Sequence, residues 1–286
     1  MTPRPNFPTL LALACAFLAC CSISARGDVI AFFYALDADL QGLKTAAQEM
    51  GQSAAVGTRS VQRLRLGSHT IYAVKMGSGA VETAASAQAL LARNRCDWAF
   101  SLGPAGALAD SVATGSWYRV SRIVAWQHGS SSSVSPSDFP TWSTDWSKLA
   151  ATNVPALLAT AADLVVASGE QFISSAGDHD RLQALAEAEA VDMNGYGLAV
   201  VCADHGVPLF SWKIVSDRAD EEAAETFKAF IAAYSGEGGK ALAEVIRSLP
   251  PNPNDPSSYP AIEKALRETG ADADLTRTGG DRSGSP

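Results

Sequence analysis

A chain of 286 residues, 47% hydrophobic and 18% charged, has enough apolar material for one large domain with a full core. Its net charge of −8, without any block of lysines and arginines, argues against a nucleic-acid partner, because neutralising phosphates takes clustered cations. A neutral small molecule stays open as ligand.

Residues 1–27 read as an export leader. Met1–Thr9 carry one charge, Arg4, and Leu10–Cys21 form an unbroken apolar run of twelve residues. That is too short for a membrane-spanning helix, which needs roughly 20 residues, and it suits the core of a signal peptide. Two endings are open. Residues 17–20 and 18–21 each resemble an imperfect bacterial lipobox, which would leave a lipidated Cys20 or Cys21 and attach the protein to a membrane. Ser22 and Ser24 instead offer small residues for ordinary cleavage. Either ending gives an exported protein, periplasmic or membrane-anchored. Beyond the leader only Cys96 and Cys202 remain; without metal-ligand spacing they read as small apolar core residues.

The punctuation that follows is regular. Residues 28–34 are a nearly continuous apolar run and read as a buried strand. Leu36, Leu40, Leu43 and Ala47 recur at helical spacing and predict a helix over 35–50. Residues 61–66 and 70–75 form a hairpin around Gly67. Gly77-Ser-Gly79 leads into a helix over 80–94, and 97–101 is a buried strand ending in a glycine turn at Gly103-Pro-Ala-Gly106. A longer strand spans 117–126. Residues 128–147, rich in Ser, Pro, Asp and Trp, read as a long loop of the kind that often carries function. A strand at 160–168, a helix at 178–188, a very short strand at 190–193, a helix at 194–205 and a strand at 208–215 come next. A single amphipathic helix is predicted over 221–248. Past Pro250 the Pro, Asn, Asp, Ser and Gly content predicts a largely flexible tail, 250–286, with a short helix near 261–268. Strands alternating with helices predict one α/β domain, 28–249, with a central, mixed, mostly parallel sheet flanked by helices on both faces.

In open α/β sheets ligands gather at the carboxyl ends of the strands. The backbone of Ser78, and that of Ala105 and Gly106, falls in glycine-containing turns after two strands, where exposed N–H groups can meet ligand oxygens. Asp217 closes an apolar strand and precedes a Glu-rich helix start, so it reads either as a helix cap or as a partly buried acid able to donate a proton. Asp37 and Asp39 follow the first strand, and periodicity does not decide which of them faces a pocket. Met193 suits an apolar pocket wall, while Asn194 can both donate and accept hydrogen bonds.

In their order, the segments 35–40, 75–81, 102–108, Gly169–Ile173, Val191–Asn194 and 214–220 resemble the nucleoside phosphorylase/nucleosidase superfamily, above all methylthioadenosine/S-adenosylhomocysteine nucleosidases. The resemblance runs from about Val29 to Leu249. It implies a three-layer α/β/α fold, a purine nucleoside as ligand, hydrolysis of its N-glycosidic bond, no metal or organic cofactor, and a homodimer. By position it makes Asp217 the acid that protonates the leaving base, with Ser216 steadying it. Phe172 would stack on the base, the Ile173 backbone would read its edge, and Met193 would pack on the ribose. Lys213 would help hold the attacking water, and Asp39 stands where those nucleosidases carry a Glu that activates it.

Three positions depart from the pattern. Asn194 replaces a Glu that accepts from ribose hydroxyls, Asp39 is one methylene shorter than the expected Glu, and Pro104 removes a backbone N–H. No Arg precedes the Gly103 turn, as a phosphate co-substrate would want, so hydrolysis is expected over phosphorolysis.

Overall fold

Strand β1 (Val29–Tyr34) sets the layering of the molecule. Ile30, Phe32 and Tyr34 enter one apolar cluster and Ala31 and Phe33 another, all five buried, so the strand is covered on both faces. The structure, a computed structural model, describes residues 27–56, 58–127, 139–159 and 161–249. The leader, the tail beyond 250 and the first part of the expected 128–147 loop lie outside these residues.

Within Gly27–Pro250 one eleven-stranded sheet forms the middle layer. The strands after β1 are β2 (Gln48–Glu49), β3 (Ala54–Val56), β4 (Arg59–Leu66), β5 (His69–Lys75), β6 (Trp98–Ala107), β7 (Trp117–Ala125), β8 (Thr141–Ser143), β9 (Ala162–Ser168), β10 (Ala190–Asp192) and β11 (Leu209–Asp217). The order is β10–β9–β7–β11–β6–β1–β5–β4–β2, with β3 on β4 and β8 on β7. Its centre, β11–β6–β1–β5, is parallel, and antiparallel pairings enter through the β4–β5 hairpin, β7 and the short strands. Strand β10 also pairs with β6, so β6, β11, β7, β9 and β10 close a ring.

Helices cover both faces. On one side α1 (Asp37–Lys44) and α7 (Glu237–Arg247) set Leu40, Leu43, Leu242, Val245 and Ile246 against Phe32, Phe100, Phe210 and Trp212. On the other, α2 (Ala80–Leu91) and α5 (Gly195–Asp204) set Ala87, Leu90, Leu198 and Val201 against Ala31, Phe33, Val74 and Ala99. Each fully buried leucine or isoleucine stabilises this packing by about 1.5–3 kcal/mol. Helices α3 (Ala156–Ala159), α4 (Ala176–Ala186) and α6 (Ala223–Ala233) complete the set. Cys96 and Cys202 are buried and free.

Besides the short elements β3 and α3, which the sequence did not suggest, the elements differ from the sequence expectation in four places. The first helix stops at Lys44, where Thr45 Oγ1 donates to Gly42 O at 2.7 Å, and the chain then adds β2. Strand β6 runs on through the expected glycine turn, because Gly103, Pro104, Ala105 and Gly106 all pair with β11. Pro104 lies past the end of the β1 pairing at Leu102, where no neighbour asks for its missing N–H. Residues 139–147, expected as loop, contain β8. The last long helix is two helices, α6 and α7, parted at Gly236, whose φ of 78° interrupts the helical path.

Candidate active site

A cavity of about 730 Å³ opens at the carboxyl ends of β1, β5, β6, β10 and β11, the range of a small-molecule site. Ring closure positions its floor. With β10 antiparallel to β6, Val191 pairs with Gly106, and Gly106 pairs with Asp217 on β11, so three strand ends converge.

Asp217 stands on that floor, 2% exposed. A register shift between Val215 and Asp217 makes Ser216 the extra residue of a bulge, which re-aims the acid. Ser216 Oγ donates to Asp217 Oδ2 at 2.7 Å, and the Ala219 amide donates to Oδ1 at 2.9 Å. Burial raises this carboxyl above its ordinary value; the two hydrogen bonds act against that rise and the Asp220 charge adds to it. Helix α6 starts only at Ala223, and its first turn is served by Asp220, which accepts from Glu222 N, so Asp217 is no helix cap. Gly106 leaves room for it: a Cβ there would sit 2.8 Å from Asp217 Oδ1.

Opposite polar groups close the site. Asn194 is 8% exposed and donates from Nδ2 to Gly77 O and to Thr83 Oγ1, both at 2.7 Å. Both amide protons are therefore used, and Oδ1 is left as an uncharged acceptor at the cavity wall. Phe172, 42% exposed, forms the rim with its ring 5.7 Å from that of Phe227. At the mouth Lys75 Nζ pairs with Asp37 Oδ2 at 2.7 Å.

Of the expected site residues, Ser78, Ala105, Gly106, Phe172, Ile173, Met193, Asn194, Ser216 and Asp217 all line this one cavity. Two do not. Lys213 is 1% exposed and lies beneath the floor, where its Nζ forms an ion pair with Asp192 Oδ2 at 2.5 Å. Its ammonium is engaged by Asp192, and a Cβ added at Gly103 would lie 3.7 Å from Nζ, so the side chain is packed under the floor and is not among the lining residues. Asp39 is fully buried between α1 and α7, where it accepts a hydrogen bond from the Tyr234 hydroxyl. Of the two acids after β1, it is Asp37 that lines the cavity.

Several lining residues escaped the sequence reading. Asp192 fixes the start of α5 by accepting from Gly195 N at 3.2 and 3.0 Å, and neutralises Lys213 below. Phe227, Ile231 and Tyr234 lie on one face at the end of α6. Their spacing of four and three residues was visible as an apolar helical stripe, but such a stripe does not say whether it faces a core or a cavity.

Segments of this chain align with known nucleosidases. It is 38% identical over 85 residues to the aminodeoxyfutalosine nucleosidase of Helicobacter pylori, which covers 30% of this chain and 37% of that protein. The protein of the same name from Campylobacter jejuni is 31% identical over 67 residues, covering 23% and 29%. The chain thus spans well under half the length of these relatives. Solved structures extend the likeness over the fold. The 5'-methylthioadenosine/S-adenosylhomocysteine nucleosidase of Neisseria meningitidis, in complex with methylthio-immucillin-A, superposes with a TM-score of 0.67 at 19% identity, covering 78% of this chain and 100% of that one. The futalosine hydrolase of Helicobacter pylori superposes with a TM-score of 0.64 at 20% identity, covering 80% and 98%. Over residues 30–247, which take in the sheet, the covering helices and every wall of the cavity, the sequence matches the Phosphorylase superfamily, and the chain belongs to that family.

Proposed function

We propose that the chain is an exported purine-nucleoside N-ribohydrolase, with Asp217 as the acid that protonates the leaving base. The observation that carries this reading is the setting of Asp217: a carboxyl raised by burial, held by Ser216 and Ala219, on the floor of a cavity rimmed by an exposed aromatic ring. Cleavage of an N-glycosidic bond passes through an oxocarbenium-like state, so it needs a proton for the departing base and water on the far side of the sugar. Phe172 offers a face for the base, and Asn194 Oδ1 offers a ribose hydroxyl its acceptor. The names of the partial relatives and fold neighbours, nucleosidases of aminodeoxyfutalosine and of methylthioadenosine and S-adenosylhomocysteine, point the same way, to a nucleoside as substrate.

Hydrolysis is favoured over phosphorolysis by charge. Among the described residues that line the cavity the one cation is Lys75, already paired with Asp37, which leaves no free clamp for a phosphate dianion.

The test is direct. The protein is incubated with 5'-methylthioadenosine, S-adenosylhomocysteine, adenosine and inosine, with and without phosphate, and free base is measured. Release without phosphate is expected, and Asp217→Asn should lower it by roughly 100-fold or more at unchanged melting behaviour. Saturable binding without any release would make the chain a nucleoside-binding protein on this fold, the reading that the uncharged Asn194 favours. Two wider parts of the proposal have their own checks. Export rests on the apolar run 10–21 and is tested by the mass of the mature N-terminus. A homodimer is supported by the exposed apolar side chains of Val81, Phe172 and Ile231 and is tested by sedimentation.

A further inference from the structure

We propose that Tyr234 is a catalytic residue on the water side of the site, carrying a proton from the attacking water to Asp39. The inference rests on the nucleosidase reading above and adds a residue that none of the comparisons assigns.

Asp39 alone is poorly placed for the task, being fully buried behind the cavity wall. Tyr234 joins the two regions. It lines the cavity, and its hydroxyl donates to Asp39 Oδ1. The same hydroxyl oxygen accepts from Gly238 N at 3.2 Å. A phenol oxygen has one proton and two lone pairs, so one lone pair remains for a donor, and a water in the cavity is such a donor.

The ring is held for this purpose. Phe230 stacks on it at 5.3 Å, and Trp117 lies tilted against it at 6.5 Å. Gly238 has no side chain because a Cβ there would come within 2.9 Å of the Tyr234 hydroxyl and 2.4 Å of the Trp117 ring. Tyr234 is the residue at the C-terminal end of α6, just before the break at Gly236, so the split of the expected long helix is what turns it toward Asp39.

The water oxygen bonds to the anomeric carbon while its proton passes to Tyr234 Oη and the tyrosine proton passes to Asp39 Oδ1. On the other face the N-glycosidic bond breaks, its electron pair leaves with the base, and the proton of Asp217 goes to a base nitrogen. The products are free base and the ribose with its 5' substituent unchanged; afterwards Asp39 holds a proton and Asp217 has lost one, and exchange with solvent resets both. Asp39 must start as the carboxylate. Burial pushes its carboxyl up to about 7, with the Glu237 charge adding to the rise and the Tyr234 hydroxyl and Gly239 N–H opposing it. A base with that affinity for protons is matched to neutral pH.

The experiment uses the full chain with whichever tested nucleoside the wild type cleaves, following base release against pH. Tyr234→Phe should lower kcat by about 100-fold or more with KM nearly unchanged, and should remove the acidic limb near pH 7 from the kcat/KM profile. A merely structural tyrosine would lower the melting temperature and leave the shape of the profile intact. Combining Tyr234→Phe with Asp39→Asn should cost no more than either change alone, because the two act as one unit. If Tyr234→Phe does not fold, Asp39→Asn, which keeps the shape and an acceptor oxygen, is expected to show the same loss. Wild-type cleavage together with a folded variant of either kind that stays within about threefold of wild type, limb included, overturns the relay and leaves the nucleosidase reading standing. No base release by the wild type from any nucleoside overturns both.

Discussion

Replacing Lys213 with methionine is expected to destabilise the protein far more than it alters ligand contact. The ammonium is 1% exposed and its ion-pair partner, Asp192, has a side chain that is fully buried, 2.5 Å away. Methionine keeps most of the stem's packing, so the change is nearly a pure removal of charge. It leaves a carboxylate in the interior without its counter-ion, which costs about 3–5 kcal/mol, or roughly 6–20 °C of melting temperature in a domain of this size. Adding Asp192→Asn to Lys213→Met removes the stranded charge while an amide oxygen still accepts from Gly195 N. The double variant should therefore recover to within about 1–2 kcal/mol of wild type, a coupling of at least about 2 kcal/mol. Urea and thermal unfolding of the wild type, both single variants and the double variant measure this cycle. A cost below about 1 kcal/mol for Lys213→Met, or a double variant no more stable than that single change, would refute the ion-pair account and return Lys213 to the reaction chemistry.

Three further outcomes are expected. The raised carboxyl of Asp39 means that the folded state keeps a proton which the unfolded chain releases between its ordinary value of 3.8 and about 7, so stability falls as pH rises through that window. The fall is at most about 4 kcal/mol, and Asp39→Asn should flatten it in urea titrations at pH 5 and pH 8. Gly197→Ala, a change that elsewhere in a helix stabilises by about 1 kcal/mol, should here destabilise by about 1–3 kcal/mol in urea unfolding. The reason is that its Cβ would lie 2.1 Å from Ala80 O, wedging α5 from α2. Phe172→Ala should weaken nucleoside affinity by about tenfold to 100-fold in calorimetry, the value of one base stacked on an aromatic ring, while the melting temperature moves little because the ring is 42% exposed.

The sequence disclosed what local pattern governs. The continuous apolar run at 28–34 declared a strand covered on both sides, and an apolar strand ending in an acid singled out Asp217. Direction was harder to see. Two acids at the start of α1, two positions apart, differ by about 200° around a helix, yet only the packing of α7 shows that Asp39 is the one turned away from the cavity. Lys213 was singled out only by its place in the family resemblance, and the partner that holds it, Asp192, ends β10, the preceding strand in the chain but not a neighbour of β11 in the sheet. The extension of β6 through Gly103-Pro-Ala-Gly106 likewise depends on pairing with β11, a contact no local window contains. Gly236 was legible as a glycine, but its left-handed backbone, which ends α6 and presents Tyr234, belongs to the tertiary structure.

The closed ring of β6, β11, β7, β9 and β10 also bears on how the protein comes to exist. Strand β6 leaves the ribosome after β1, which pairs it up to Leu102, but well before β10 and β11, its two ring neighbours, and until they arrive its β11 edge and its end beyond Leu102 stand unpaired. Non-local strand pairing of this kind makes for slow folding and a vulnerable interval in which a chaperone has something to hold. Because Asp217 arrives on the last strand of the described sheet, a chain made only up to β10 lacks the floor of the cavity. If the chain binds a nucleoside as proposed, that binding reports completed folding, and the ligand would rescue chains that have finished the ring but not those stalled before it.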